Sequence, residues 1–351
     1  MQDFIQNCFR YLISLFKNFF FKKKIFYIIE YKKWANFNDA VNLKKFFKKK
    51  LTISNEIVGI KKSIIHIGTH YKLFLKKKII DVHHSNKLIV FWPHLDKGNY
   101  ISSLLKKNIL KIFKINTCSK TTKKNLIKYG ISKDKIILTP LSIDMKIFNP
   151  ISVIKKNKLK EKYGIPKDKL VLGSFVKDGV GFEDGNKPKE IKNPQMLVKS
   201  LKASQFKDNF YFVLSGPARG YLKKSLNKLG IKFIHKECRN SHELAELYKL
   251  VDITIINSKL EGGPYTLLES LSTGVPVIST KVGMSLDIIR NSYNGYLINI
   301  NDHILLKNKL NFLLYNRNKI KNLKKNCRNS IKNYSINKIV KIYQKKLYNL
   351  F

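Results

Sequence analysis

Short apolar runs separated by amphipathic stretches recur along the chain from residue 25 onward. Runs at 25–30, 63–68, 87–92, 115–119 and 135–141 have strand length. Between them, 39–50 and 121–129 carry helical periodicity, the second closed by Gly130. Asn149-Pro150 and the lysine-rich stretch 155–162 interrupt the alternation, and Gly164-Ile165-Pro166 precedes a fresh strand at 170–176. The scheme then repeats, with strands at 210–215, 231–235, 253–257, 276–280 and 296–298. Helices are predicted over 194–204, 219–229, 241–250, 265–273 and 285–291, and the chain reads as helical from about 302, with breaks near Asn316 and Ser335. This alternation predicts an α/β protein of two facing Rossmann-like, doubly wound parallel-sheet domains with a helical C-terminus. Ligands of such sheets sit outside the carboxyl ends of the strands, so the cleft between the domains is the expected site.

The expected boundaries are an amphipathic segment at 1–21, a first domain at 22–160, a second at 161–330, and a C-terminal helix at 331–351 returning to the first domain. Residues 4–21 are rich in Phe, Leu and Ile and run into Lys22, Lys23 and Lys24. Gln6, Asn7, Arg10, Lys17 and Asn18 interrupt the run, so it falls short of a spanning helix. No small-residue cleavage site follows, as a signal peptide would need. Two readings stay open: an interfacial helix on an anionic membrane, and an amphipathic helix packed on the first domain.

A net charge of +46 raises nucleic acid as a partner. Only Arg10, Arg219, Arg239, Arg290, Arg317 and Arg328 are arginine, and the lysines are spread rather than striped. Base-reading surfaces cluster their charge and favour arginine. The abundance of Lys, Asn, Ile, Phe and Tyr together matches A/T-rich codons, so composition alone explains the charge and no specific nucleic acid is expected. Cys8, Cys118, Cys238 and Cys327 are far apart and imply no disulfide framework. A cytoplasmic protein is the expectation, peripheral on the inner face of the membrane if residues 1–21 act there.

The most informative stretch is 257–280, NSKLEGGPYTLLESLSTGVPVIST. A strand ends near Ser258, Glu261-Gly262-Gly263-Pro264 makes a tight turn, and a helix starts near Tyr265. Backbone N–H groups of Gly262, Gly263, Tyr265 and Thr266 then face the positive end of a helix dipole, an arrangement suited to a diphosphate. Glu261 and Glu269 flank the turn, and a carboxylate so placed makes sense as an acceptor from sugar hydroxyls. Taken one at a time, the two are as readily an ordinary turn residue and an ordinary helix residue.

Together with their surroundings, these residues resemble glycosyltransferase family 4, retaining nucleotide-sugar enzymes of the GT-B fold. The family carries two glutamates separated by seven residues and followed by Gly-Val-Pro-Val, as Glu261, Glu269 and Gly274-Val275-Pro276-Val277 do here. GSFVKDG, KNPQMLVKSL, KIILTPLSIDMKIFNP, FVLSGPARG, VDITIINS and GMSLDIIRNSYNGYLI also match in order and spacing, over roughly residues 85 to 300. The resemblance implies that Glu269 holds ribose hydroxyls and Glu261 the transferred sugar. It places Lys177 and Lys192 on the diphosphate and His235 by the base. It also sets His94, in FWPHLDKG, by the donor sugar. The acceptor side is fainter: ANFNDA, with Asn38 and Asp39, stands where the family has a glycine-rich loop, and Gly68-Thr69 ends another strand. His83-His84 reads as surface or loop. No Asp-x-Asp occurs, so no metal and no cofactor beyond the nucleotide-sugar co-substrate is expected. The implied activity is retaining, metal-independent transfer of a hexose to a glycan or lipid-linked acceptor in cell-surface polysaccharide or lipopolysaccharide synthesis. Two rivals predict other behaviour: a GT-B hydrolase or epimerase on the same donor, and a basic membrane- or nucleic-acid-binding module without catalysis.

Overall fold

A computed structural model describes residues 24–29, 35–96, 98–181 and 184–348; the stretch 1–21 lies outside them. The chain divides into two compact units, one formed by Met1–Leu141 with Ile336–Phe351 and the other by Ser142–Ser335.

The first unit carries β1 (Ile25–Ile28), β2 (Leu51–Ser54), β3 (Ile64–Ile67), β4 (Phe74–Leu75), β5 (Lys78–Ile79), β6 (Lys87–Phe91), β7 (Lys114–Thr117) and β8 (Ile136–Leu138). Six strands form one parallel sheet in the order β2-β1-β3-β6-β7-β8, and β4 and β5 form a separate antiparallel hairpin. Phe26, Ile28, Ile65, Ile67, Leu88 and Val90 pack on one face, and Ile25, Tyr27, Ile64 and Ile89 on the other. A sheet buried on both faces needs continuous apolar strands, which is why these segments read as apolar runs. The connection reverses direction between β1 and β3, the crevice where doubly wound sheets take ligands.

The chain's C-terminal segment closes this unit. Ile339, Val340, Tyr343, Leu347 and Tyr348 cover the face carrying Tyr27 and Ile89. His66, in β3, is fully buried under them. Its Nε2–H donates to Asn116 Oδ1 at 2.9 Å and its Nδ1 accepts from the Tyr348 hydroxyl at 2.6 Å. His66 thus pins the C-terminal segment to the sheet rather than facing a ligand.

The second unit carries β9 (Leu170–Ser174), β10 (Phe210–Ser215), β11 (Phe233–Lys236), β12 (Ile253–Ile256), β13 (Val277–Thr280) and β14 (Gly295–Ile298). All pair in parallel in the order β11-β10-β9-β12-β13-β14. Numbered within the unit this is 3-2-1-4-5-6, the Rossmann order, whose switch point falls between β9 and β12. Helices Pro194–Lys202, Gly220–Lys228 and His303–Tyr315 contribute Leu197, Leu222 and Leu310 to one core.

The structure departs from the sequence reading in four places. The edge strand β2 and the hairpin β4–β5 were not expected; β2 buries only Leu51, and β4 and β5 have two residues each, too little for periodicity to register. A helix at Tyr100–Lys107, capped by Asn99 accepting from the Ile101 amide at 3.0 Å, was also absent from it. The lysine-rich stretch taken as a break is the helix Val153–Lys162, started by Ser152. Asn38 and Asp39 lie in the first turns of a helix that begins at Ala35, not in a loop.

Burial pushes the His66 imidazole down to about 3. A histidine whose folded value lies below its unfolded value of about 6.5 contributes stability above that value, lost as pH falls towards 3. Unfolding free energy should therefore drop between about pH 6.5 and 4. In His66→Phe the slope measured by denaturant titration should be shallower by about 1.4 kcal/mol per pH unit.

Candidate active site

The loop leaving β9 at the switch point carries Lys177, Asp178 and Gly179. Arg219 is fully buried and braces that loop. Its Nε pairs with Asp178 Oδ1, while Nη1 donates to the carbonyls of Ser174 (2.8 Å) and Ser215 (2.7 Å) and Nη2 to Ser174 Oγ (2.9 Å). The second Asp178 oxygen accepts from the Leu222 amide at 2.9 Å, and the Asp178 carbonyl accepts from the Lys189 amide at 2.6 Å. A buried ion pair holds geometry only when every donor is satisfied, and here it locks the ends of β9 and β10 to the two ends of the loop. Gly179 is required by close approach, since a Cβ there would collide with Gly185 and the Ala218 carbonyl.

The same loop ends on Lys189 and the short turn Glu190–Lys192, followed by Asn193 in the left-handed region (φ 52°) and Pro194 opening the helix Pro194–Lys202. Asn257, just past β12, fixes this turn by donating its side-chain amide to the carbonyls of Lys192 (2.7 Å) and Asn193 (2.8 Å). Lys192 pairs with Glu261, whose Oε1 also accepts from Ser258 Oγ at 2.8 Å. Lys189 belongs to the same group: burial lowers its ammonium first, then Lys192 and Lys177, with Glu261 opposing them. Lys192 and Glu261 are thus in contact past the ends of β9 and β12, and Lys177 and Lys189 lie near enough to act on the same field. Lys177 reaches back to the Gly181 carbonyl.

Behind Glu261, the Gly262 carbonyl accepts from the Met284 amide at 2.9 Å. Gly283 (φ 41°) passes so close that any side chain there would strike the Gly262 and Glu261 carbonyls. The helix Tyr265–Ser272 starts after Pro264 without a side-chain cap, so its first turn offers backbone N–H groups at the positive end of the dipole. Thr266 is buried and Tyr265 half-buried.

Glu269, in the second turn of that helix, accepts from the Tyr248 hydroxyl at 2.8 Å. Tyr248 is itself buried and stacks on Phe175, ring centroids 3.9 Å apart at 26°. Phe175 follows β9, so the aromatic pair sets the carboxylate against the loop that carries Lys177. Burial pushes Glu269 up to about 7, and the Tyr248 hydrogen bond works against the rise. His235, in β11, donates from Nε2 to the Gly216 carbonyl at 2.8 Å.

The unit thus brings Lys177, Lys192, Glu261, Gly262, Gly263, Tyr265, Thr266 and Glu269 to the ends of its central strands, with His235 two strands out on β11. Asp178, Arg219, Lys189 and Tyr248 are the members that sequence reasoning passed over. An arginine in a chain whose cations are nearly all lysine was the one available signal for Arg219.

In the first unit, His94 is half-buried after β6, its ring edge-on to His70 at 5.7 Å between centroids. His70 is buried against Trp92, and burial first, then His94, pushes it down to about 3. Thr69 precedes the short turn His70–Leu73. Gly68 is needed for packing, because a Cβ there would run into the Tyr27 ring and the Ile28 carbonyl. Asp39 is buried and Asn38 exposed. Among the described residues, no three His, Cys, Asp or Glu side chains gather where they could hold a metal ion. Cys118, Cys238 and Cys327 are free thiols.

Residues 186–330 match the family described as glycosyl transferases group 1. The chain is 26% identical over 338 residues to the UDP-Gal:alpha-D-GlcNAc-diphosphoundecaprenol alpha-1,3-galactosyltransferase of Escherichia coli, covering 83% of this chain and 80% of that one. It is 30% identical over 155 residues, 42% of each chain, to a Campylobacter jejuni alpha-1,4-N-acetyl-D-galactosaminyltransferase acting on a diNAcBac-PP-undecaprenol-linked glycan. In fold it is similar to Anabaena Alr3699/HepE, solved in complex with UDP and glucose, with a TM-score of 0.76, 14% identity, and 94% of this chain and 100% of that one covered. Both units have the Rossmann-like parallel-sheet form of GT-B glycosyltransferases, and glycosyl transfer is the activity these comparisons support.

A ligand whose hydroxyls donate to Glu269 favours its ionised form, so binding is linked to loss of a proton. The affinity for UDP should fall by up to about tenfold per pH unit below about pH 7. Calorimetric titration of the protein and of Glu269→Gln from pH 8 to 5.5 separates this from the titration of UDP itself. The variant should lose the part of the slope that belongs to the carboxylate.

Proposed function

We propose that this glycosyltransferase moves a hexose from a nucleoside diphosphate sugar to a lipid-linked glycan, with retention and without a metal ion, in the assembly of a cell-surface polysaccharide or lipopolysaccharide. The observation that carries the reading is the convergence of Lys177, Lys189 and Lys192 beside Glu261 and an uncapped helix start. A diphosphate adds negative charge beside a group of ammonium side chains that shares the Glu261 carboxylate. In many transferases a divalent ion neutralises the leaving diphosphate, and the lysines with the N–H groups of Gly262, Gly263, Tyr265 and Thr266 can meet that need.

On this reading the ribose hydroxyls donate to Glu269, which Tyr248 orients, and the base lies by His235. Glu261 accepts from a hydroxyl of the transferred sugar, and the entering phosphate competes with it for Lys192. As the bond between the anomeric carbon and the phosphate oxygen breaks, positive charge develops on the sugar ring and negative charge on the leaving oxygen. The lysines stabilise the latter. The acceptor oxygen bonds to the anomeric carbon from the face the phosphate leaves, and its proton passes to the departing phosphate.

The E. coli relative acts on a diphosphoundecaprenol-linked sugar, which supports an acceptor of that class. Among the described residues no helix is long and apolar enough to cross a membrane. Work at the inner membrane face, with peripheral contact to anionic lipid, fits a cytoplasmic nucleotide sugar and a lipid-borne acceptor.

The test is transfer of radiolabelled sugar from a panel of UDP- and GDP-sugars to a synthetic polyprenyl-diphosphate-linked sugar, in the presence of a chelator. Transfer should proceed, and the product should keep the anomeric configuration of the donor. Glu261→Gln should lower kcat by about 10²-fold without weakening UDP, whose phosphate then no longer competes with a carboxylate for Lys192. Donor hydrolysis with no transfer to any acceptor would overturn the proposal.

A further inference from the structure

The first unit contains a second cationic place that glycosyl transfer does not use. A cavity of about 830 Å³ lies between the β4–β5 hairpin, the loop that follows it, and the C-terminal half of the helix Tyr100–Lys107. Lys77, Lys78, Lys107 and Lys111 line it, with His83 and His84 stacked beside them at 4.2 Å; Asp81 is the only acid in the lining. Among the described residues, none of these four lysine side chains forms an ion pair or a hydrogen bond. The floor is different in kind: Ile79, Ile80, Val82 and Leu104 are half-buried, and Leu88 is buried beneath them. Leu75 on the hairpin and Leu110 beside Lys111 stand exposed at 70% and 90%. A cationic rim over an apolar floor is what a charged head on a hydrocarbon chain requires.

The cavity lies where β6 begins and just before β7, at the sheet edge opposite His94, so it is distinct from the strand ends that carry His70, Trp92 and His94.

We propose that this groove binds a phosphate ester attached to an apolar chain, the lysines holding the phosphate and the aliphatic floor the first part of the chain. A membrane phospholipid and a polyprenyl phosphate share that chemistry. The site does not rest on the transferase reading, because its test uses neither donor nor acceptor sugar.

The full chain is titrated with two soluble probes below their micellar concentrations, dihexanoyl phosphatidic acid and farnesyl phosphate, and with inorganic phosphate and farnesol as controls. At least one amphiphile should bind at least about tenfold more tightly than either control. Tighter binding of the first assigns the site to phospholipid, and of the second to a polyprenyl ligand. Lys77→Ala with Lys107→Ala and Lys111→Ala should weaken that binding by about tenfold or more and flatten its salt dependence. The same three positions changed to Arg should retain it, and UDP affinity and melting temperature should be unchanged in both variants, which excludes misfolding. Equal affinity for inorganic phosphate, or an alanine variant that binds the amphiphile as well as the parent, would overturn the proposal.

Discussion

Like charges repel, and the second unit is built around holding three of them together. Lys177, Lys189 and Lys192 meet where β9 and β12 end, at the one point in a doubly wound sheet where the chain leaves a crevice rather than a packed edge. Their mutual repulsion is borne by backbone and buried side chains: Asn257 ties the turn bearing Lys192, and Arg219 with Asp178 ties the loop bearing Lys177 to the strand ends. Glu261 pairs with Lys192. A site so constrained is preorganised for an anion, since cost of assembling the charge falls on folding rather than on binding.

The chain's scarce carboxylates are used to similar effect at the other edge of the same sheet. Asp252, immediately before β12, faces Lys156 at 2.6 Å, Lys324 at 3.3 Å and Lys160 at 3.8 Å. Burial lowers Lys156 to about 7, with Lys324 and Lys160 adding to the fall and Asp252 opposing it. With 69 basic and 23 acidic residues, Asp178, Asp252 and Glu261 each serve a cation, and solvent screens the exposed lysines.

The alternation of apolar runs and amphipathic stretches was enough to place eleven of the twelve strands of the two parallel sheets, because buried parallel strands and their crossover helices differ in period. What stayed hidden was short or one-sided: β2 with a single buried residue, and a two-residue hairpin pair. At the site, Glu261 and Glu269 were legible because a glycine turn and a helix start surround them in sequence. Arg219 and Tyr248 were not, since each acts through a partner more than twenty residues away, Asp178 and Glu269 respectively. Lys189 was invisible for the opposite reason, being one lysine among many. His66 was equally illegible: nothing in its local sequence shows that Tyr348 and Asn116, far along the chain, take both of its ring nitrogens.

The account turns on whether the lysine group grips a diphosphate without a metal ion. Affinities for UDP and for uridine, measured by calorimetry in a chelator, compare the intact protein with Lys177→Ala, Lys189→Ala and Lys192→Ala. Each substitution is predicted to weaken UDP by about tenfold or more, the worth of one charge-assisted contact of about 1.5–3 kcal/mol, and to leave uridine unchanged. UDP affinity that is indifferent to all three, or that appears only when a divalent ion is restored, would contradict it.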